Sequence, residues 1–198
     1  MKKKDFENYL QTNSNTIISI AKNAEFIHNE VNQKYDGKPY FVHLSSVAHY
    51  VEVYGHDVCE NENDILPLIF GAYFHDSIED ARLTYNDVTA IARKYMTNQQ
   101  AYIAAEIVYA LTNEKGRNRI ERANEKYYSG IRETPFAPFV KMCDRFANMS
   151  YSVMKKSKIL NAYKKELEHF LDSITVKDNS DCRFSIPKKM IKDIKNYV

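Results

Sequence analysis

Residues 72–80 read AYFHDSIED, which places a histidine, two aspartates and a glutamate in a run that is otherwise apolar. Ionised groups are costly to bury unless they are paired or hold a metal. The stretch is therefore either a buried salt-bridge knot or a site. Glu79 follows His75 by four residues and Asp80 follows Asp76 by four, and on a helix that spacing shares a face. The spacing predicts a helix carrying a second carboxylate pair one turn below His75 and Asp76. A metal held by His75 and Asp76 would have Glu79 and Asp80 within reach of its waters.

Further ligands have to come from elsewhere in the chain. His43 follows the turn GKPYFV and opens a helix, and Asp144 sits in FVKMCDRFANM with apolar neighbours on both sides. Two imidazoles and two carboxylates form a mixed nitrogen and oxygen set that suits Mn²⁺, Fe²⁺ or a similar divalent ion. The competing reading pairs Asp144 with Arg145 or Lys141 on its own helix. His28, His49, His56 and His169 read as surface or core-edge histidines.

Helical spacing dominates the elements that would position these groups. Ile17, Ile20, Ala21, Ala24, Ile27 and Val31 make one stripe over 16–31, and DGKPY then breaks the chain. A helix over 42–54 turns Val47 and Val51 inward. The next follows Asp64, a candidate N-cap, carries Pro67 early and is apolar almost all round, as a central helix is. Thr84 is the candidate N-cap of a helix to about residue 95, and another spans 99–111. The basic loop TNEKGRNRIER leads into a sixth helix that ETPFAP interrupts. A long helix through Met142, Phe146 and Met149 follows, then one over 160–174. The fold class expected is all-α, a single-domain helical bundle over 1–175. Residues 176–198 read as a loose polar tail with a candidate short helix at its end.

The bulk numbers restrict the partners. The 198 residues are 44% apolar and 13% aromatic, enough for a sizeable core. A net charge of +2 suggests no large nucleic-acid or membrane surface. Three scattered cysteines without a CxxC motif read as free thiols of a reducing, cytoplasmic compartment. The basic N-terminus is followed by no apolar segment of a secretory signal, and ILPLIFGAYF is too short to span a bilayer.

The order His, HDxxED, Asp resembles the HD-domain phosphohydrolases. More closely it resembles the hydrolase domain of the Rel/SpoT family and its stand-alone small alarmone hydrolases of the metazoan SpoT homologue type. YDGKPYFVHLSSVAHYV, AYFHDSIEDARLTYNDV, ALTNEKGRNRIER and FVKMCDRFANMS carry the resemblance, which covers 24–170; nothing like the family's synthetase half follows. It implies an HD-type helical fold and a bound Mn²⁺ serving hydrolysis of the 3′-pyrophosphate of (p)ppGpp. His43, His75, Asp76 and Asp144 fall on the family's metal ligands. Glu79 and Asp80 fall on the pair that orients the attacking water and handles its proton. Asn148 falls on a contact to the nucleotide sugar, Arg145 is in the family's DR pair, and Tyr163 matches a tyrosine near the nucleotide.

Two positions depart from the pattern. Leu44 stands where the family usually has proline. Lys34 and Tyr35 stand where it has an Arg-Lys pair that contacts the base; lysine does not replace a stacking guanidinium, but Tyr35 can itself stack on a base. Lys34, Lys38, Lys115, Arg117, Arg119, Arg122, Lys141 and Arg145 are the cations from which a pyrophosphate would draw its partners. The alternative readings are a phosphatase of the same type acting on another nucleotide or a dinucleotide cofactor, and a nucleotide-binding regulator without turnover.

Overall fold

Helix α1 (Lys3–Thr12) is polar apart from one face, and Phe6 carries that face into the core. Its ring lies against Gly55, where a Cβ would come within 2.7 Å, so that position has no room for a side chain. The computed structural model describes residues 1–113 and 115–197, leaving aside the side chains of Arg119 and Ile120. Arg119, one of the cations named above, thus has its side chain outside the described residues.

Helix α2 (Ser14–Glu30) buries Ile17, Ile20, Ala21 and Ala24 of the expected stripe and leaves Ile27 and Val31 half-buried; it also buries His28, expected at the surface or core edge. The break that follows is a small hairpin, β1 (Lys34–Tyr35) and β2 (Lys38–Pro39), with Lys34 opposite Pro39 and Tyr35 opposite Lys38. Asp36 and Gly37 both have positive φ, +51° and +76°, as a tight two-residue turn between twisted strands requires. Helix α3 (Phe41–Tyr54) buries His43, Leu44, Val47, Ala48 and Val51.

Helix α4 (Ile65–Phe74) is buried at every position and forms the centre of the bundle. Asp64 does not cap it: its Oδ2 accepts from the backbone N–H of Glu60 at 2.8 Å and closes the preceding 3₁₀ turn. α5 (Tyr85–Ala92) and α6 (Asn98–Leu111) begin at capping boxes built by Thr84 with Asp87 and Thr97 with Gln100. α4 crosses α6 closely at Gly71, where a Cβ would stand 2.7 Å from Ile107. The basic loop leads to α7 (Arg119–Arg122) and α8 (Glu125–Glu133). Then come α9 (Ala137–Met154) and α10 (Ile159–Ile174). α3, α4 and α9 pack on one another, α6 lies against α4 and α9, and α10 against α8 and α9.

The segment after 175 is more than a loose tail. It forms a 3₁₀ turn at Cys182–Phe184 and α11 (Lys188–Lys195), which buries Met190 and Ile194 in the common core. Tyr54 donates to Asp193 Oδ2 at 2.7 Å, and Phe136 N–H donates to Arg183 O at 2.6 Å at the start of α9. No helix among the described residues is long and apolar enough to cross a membrane. Among the described residues the fold is all-helical apart from the one hairpin.

Candidate functional site

α4 ends at Phe74, so the helix expected to run through Asp80 stops before His75. His75 Nδ1 donates to Ala72 O at 2.9 Å, the carbonyl that a continuing helix would offer to Asp76 N–H. Residues 75–80 proceed as turns, with Ser77 N–H on Phe74 O at 2.8 Å and Asp80 N–H on Asp76 O at 2.7 Å. The side-chain bond points His75 Nε2 away from its own helix, toward α3 and α9.

Three elements converge there. His43 comes from the first turn of α3, His75 and Asp76 from the end of α4, and Asp144 from α9. One ligand atom each from His43, His75 and Asp144 lies within 4.8 Å of the others. The two Nε2 atoms are 3.3 Å apart, and Asp144 Oδ1 is 3.4 Å from His43 Nε2 and 4.0 Å from His75 Nε2. Asp76 Oδ2 is 2.9 Å from His75 Nε2 and 3.6 Å from His43 Nε2. Both histidines are buried.

Burial works against the charge on each of these groups, and their neighbours overrule it. Burial lowers the His43 imidazole, but hydrogen bonds and charges from Asp144 and Asp76 push it up to about 9. His75 is likewise lowered by burial and raised on balance by Asp76 and Asp144. Burial would raise both carboxyls; the His75 charge holds Asp76 well below the usual range, and Lys141, then His43, does the same for Asp144. Lys141 Nζ donates to Asp144 Oδ2 at 3.1 Å, so the rival ion pair is present, but it uses the oxygen turned away from the histidines.

The other candidate residues lie around this cluster in different directions. Glu79 Oε2 accepts from Asn113 Nδ2 at 2.7 Å, and Oε1 faces Arg122 at 3.5 Å. Burial, then the charges of Asp76 and Glu79, push the Asp80 carboxyl up, and hydrogen bonding from Tyr40 and Gln33 offsets part of that. The two carboxylates thus turn to different partners rather than sharing one helix face. Asn148 Nδ2 donates to Asp144 Oδ1 at 2.6 Å, and its Oδ1 accepts from Tyr35 at 2.9 Å. Arg145 is buried with Phe170 and Tyr163, its guanidinium 4.1 and 4.9 Å from their ring centres, and reaches Glu166 at 3.6 Å. Lys34 is exposed on the hairpin and forms no ion pair among the described residues.

Two hollows flank the cluster. One, about 410 Å³, is walled by Tyr35, Asn148, Tyr151, Lys155 and Tyr163. The other, about 200 Å³, brings together Glu79, Asn113, Arg122, Lys141 and Arg145. Sequence reasoning missed Tyr40, whose hydroxyl donates to Asp76 Oδ2 at 2.5 Å, and Asn113, which holds Glu79. Tyr40 had a signal: it precedes His43 by one helical turn. Asn113 had none, since only the packing of α6 brings it to Glu79.

No family model matches this chain, and no curated protein matches it. Among solved structures, a metazoan ortholog of SpoT, described as hydrolysing ppGpp and playing a role in starvation responses, superposes with a TM-score of 0.62. The match covers 91% of this chain and 94% of that one, at 16% identity. This chain has the SpoT-ortholog fold. Within that fold, the donor chemistry of the cluster fits a divalent ion. With His75 Nδ1–H committed to Ala72 O, neutral His75 presents a lone pair from Nε2. That lone pair meets a second imidazole nitrogen and two ionised carboxylates, a set that needs positive charge at its centre. In the metal-free protein the raised His43 imidazole can supply it, and a metal would displace that proton.

Proposed function

We propose that this protein is a Mn²⁺-dependent hydrolase that removes the 3′-pyrophosphate of (p)ppGpp-like alarmone nucleotides. One observation carries the reading. His43, His75 and Asp144 bring ligand atoms within 4.8 Å of one another, with Asp76 alongside, on a fold shared with a protein that hydrolyses ppGpp.

His43, His75, Asp76 and Asp144 would hold the ion. A bound divalent ion lowers the pKa of its water and neutralises charge on a phosphate oxygen. Glu79, held by Asn113, orients the attacking water and takes its proton, with Asp80 as the second member of the pair. Proton transfer by a positioned side chain is worth about 10²–10⁴-fold. Water adds at the phosphorus joined to the 3′ oxygen; that P–O bond breaks, the 3′ oxygen is protonated, and pyrophosphate is released.

The two hollows divide the substrate. The one walled by Tyr35, Asn148 and Tyr163 suits a nucleoside, with Asn148 at the sugar. The one lined by Arg122, Lys141 and Arg145 suits the pyrophosphate charge. Lys34, exposed on the hairpin beside Tyr35, is a further candidate cation for the substrate's phosphates.

The test is incubation of Mn²⁺-loaded protein with ppGpp, pppGpp and ppApp alongside a panel of other phosphorylated nucleotides and dinucleotides. Pyrophosphate release from the alarmones is expected. All three left intact would refute the reading. Phosphate release from another nucleotide alone would move the substrate, and binding without turnover would make the protein a regulator.

A further inference from the structure

A ligating histidine normally gives its other ring N–H to a carbonyl or carboxylate, which fixes the direction of the ring. His75 follows this pattern through Ala72 O. His43 does not: its Nδ1 is buried and has no partner among the described residues. Aromatic rings surround it instead. Tyr35 lies nearly face to face with His43, centroids 4.9 Å apart and planes 21° from parallel. Tyr40 meets the same ring edge-on at 5.5 Å.

Tyr35 is itself firmly placed. Its hydroxyl donates to Asn148, which donates in turn to Asp144 Oδ1. Its ring meets Tyr151 at 4.8 Å, and the tight Asp36–Gly37 turn follows it directly. One side chain therefore touches the ring of one donor and, through Asn148, the oxygen of another.

We propose that Tyr35 is a positioning residue of the metal centre, its ring setting the direction of His43 Nε2 as the Ala72 bond does for His75. This rests on the metal reading above. It also gives the Tyr35 ring work other than stacking on a base, because the face turned to His43 is occupied.

The experiment titrates Mn²⁺ into the wild type, Tyr35→Phe and Tyr35→Leu by calorimetry. It also records the His43 ring-proton resonances of each metal-free protein. Tyr35→Leu should bind Mn²⁺ about 10–100-fold more weakly, the usual effect of losing a group that orients a ligand. Tyr35→Phe keeps the stack and loses only the link to Asn148, so it should bind Mn²⁺ more tightly than Tyr35→Leu does. The His43 protons should be shifted upfield by the ring in the wild type and in Tyr35→Phe, and move downfield in Tyr35→Leu.

Wild-type affinity and unmoved resonances in Tyr35→Leu overturn the proposal. So does Tyr35→Phe binding as weakly as Tyr35→Leu, which would assign the effect to the hydroxyl. Thermal melts of the metal-free variants verify folding, and Tyr35→Gln carries the same test if Tyr35→Leu does not fold. If the wild type takes up no Mn²⁺, the metal reading fails, while the resonances still decide whether Tyr35 orients His43.

Discussion

His43 Nε2 and His75 Nε2 face each other at 3.3 Å, between the start of α3 and the end of α4. Two neutral imidazoles in that pose, with His75 Nδ1–H already given to Ala72, cannot both accept without a proton or a cation between them. Asp76 and Asp144 stand beside the pair and supply the negative charge that makes either occupant stable.

The first prediction concerns pH. In the metal-free protein His43 is pushed up to about 9 from 6.5, so its stabilising contribution is complete below 6.5 and is lost as pH rises through about 9. Asp76 and Asp144 are held below 3.8; their contribution is present above 3.8 and is lost as pH falls through their lowered values. Melting temperatures of the metal-free protein should fall between pH 6.5 and 9. Saturating Mn²⁺ should flatten that fall, because the ion takes the place of the proton. Parallel curves with and without Mn²⁺ would count against a metal at this position.

Glu79→Ala should leave Mn²⁺ affinity near the wild-type value and reduce alarmone turnover by about 10²–10⁴-fold. Asn113→Ala frees the Glu79 carboxylate and should give a smaller loss in the same direction. Calorimetry and pyrophosphate release, run on the same preparations, separate binding from chemistry. Full activity in Glu79→Ala would remove it from the water-handling role.

Arg145 is flanked by the Phe170 and Tyr163 rings, a setting in which a planar guanidinium is not equivalent to an ammonium. Arg145→Lys should destabilise the fold by about 1–2 kcal/mol in chemical denaturation, between the values for an exposed and a desolvated cation–π contact. Unchanged stability with weakened nucleotide binding would limit Arg145 to the substrate contact, with no part as a prop between α9 and α10.

Ile194 is fully buried although it lies in the segment read as a tail. Ile194→Ala should therefore cost about 2–5 kcal/mol, as for other truncations of large aliphatic core residues. A loss below half a kcal/mol, read by urea denaturation, would mean that α11 does not contribute to the core in solution.

Long amphipathic elements were legible because burial imposes a period on them. The stripe of α2 and the inward valines of α3 came from spacing alone, and so did the uniformly apolar α4. Short elements were not. Each hairpin strand has two residues, too few for alternation, and only Asp36–Gly37 marked the turn. α1 escaped because Phe6 is its one buried residue, and a single anchor has no period. The expected helix through Asp80 failed for a local chemical reason, His75 bonding back to Ala72 O.

The order and types of the donors were set by the chain itself: two histidines and two aspartates amid apolar neighbours, which is a statement about composition and cost of burial. Whether their atoms meet was a matter of tertiary structure alone. The packing of α3, α4 and α9 brings them together, turns Asp144 Oδ1 rather than Oδ2 inward, and sends Glu79 and Asp80 to separate partners. Covalent spacing governs direction only within one helix. Between helices, direction depends on side-chain contacts such as Tyr35 on His43, and no local pattern in the sequence encodes these.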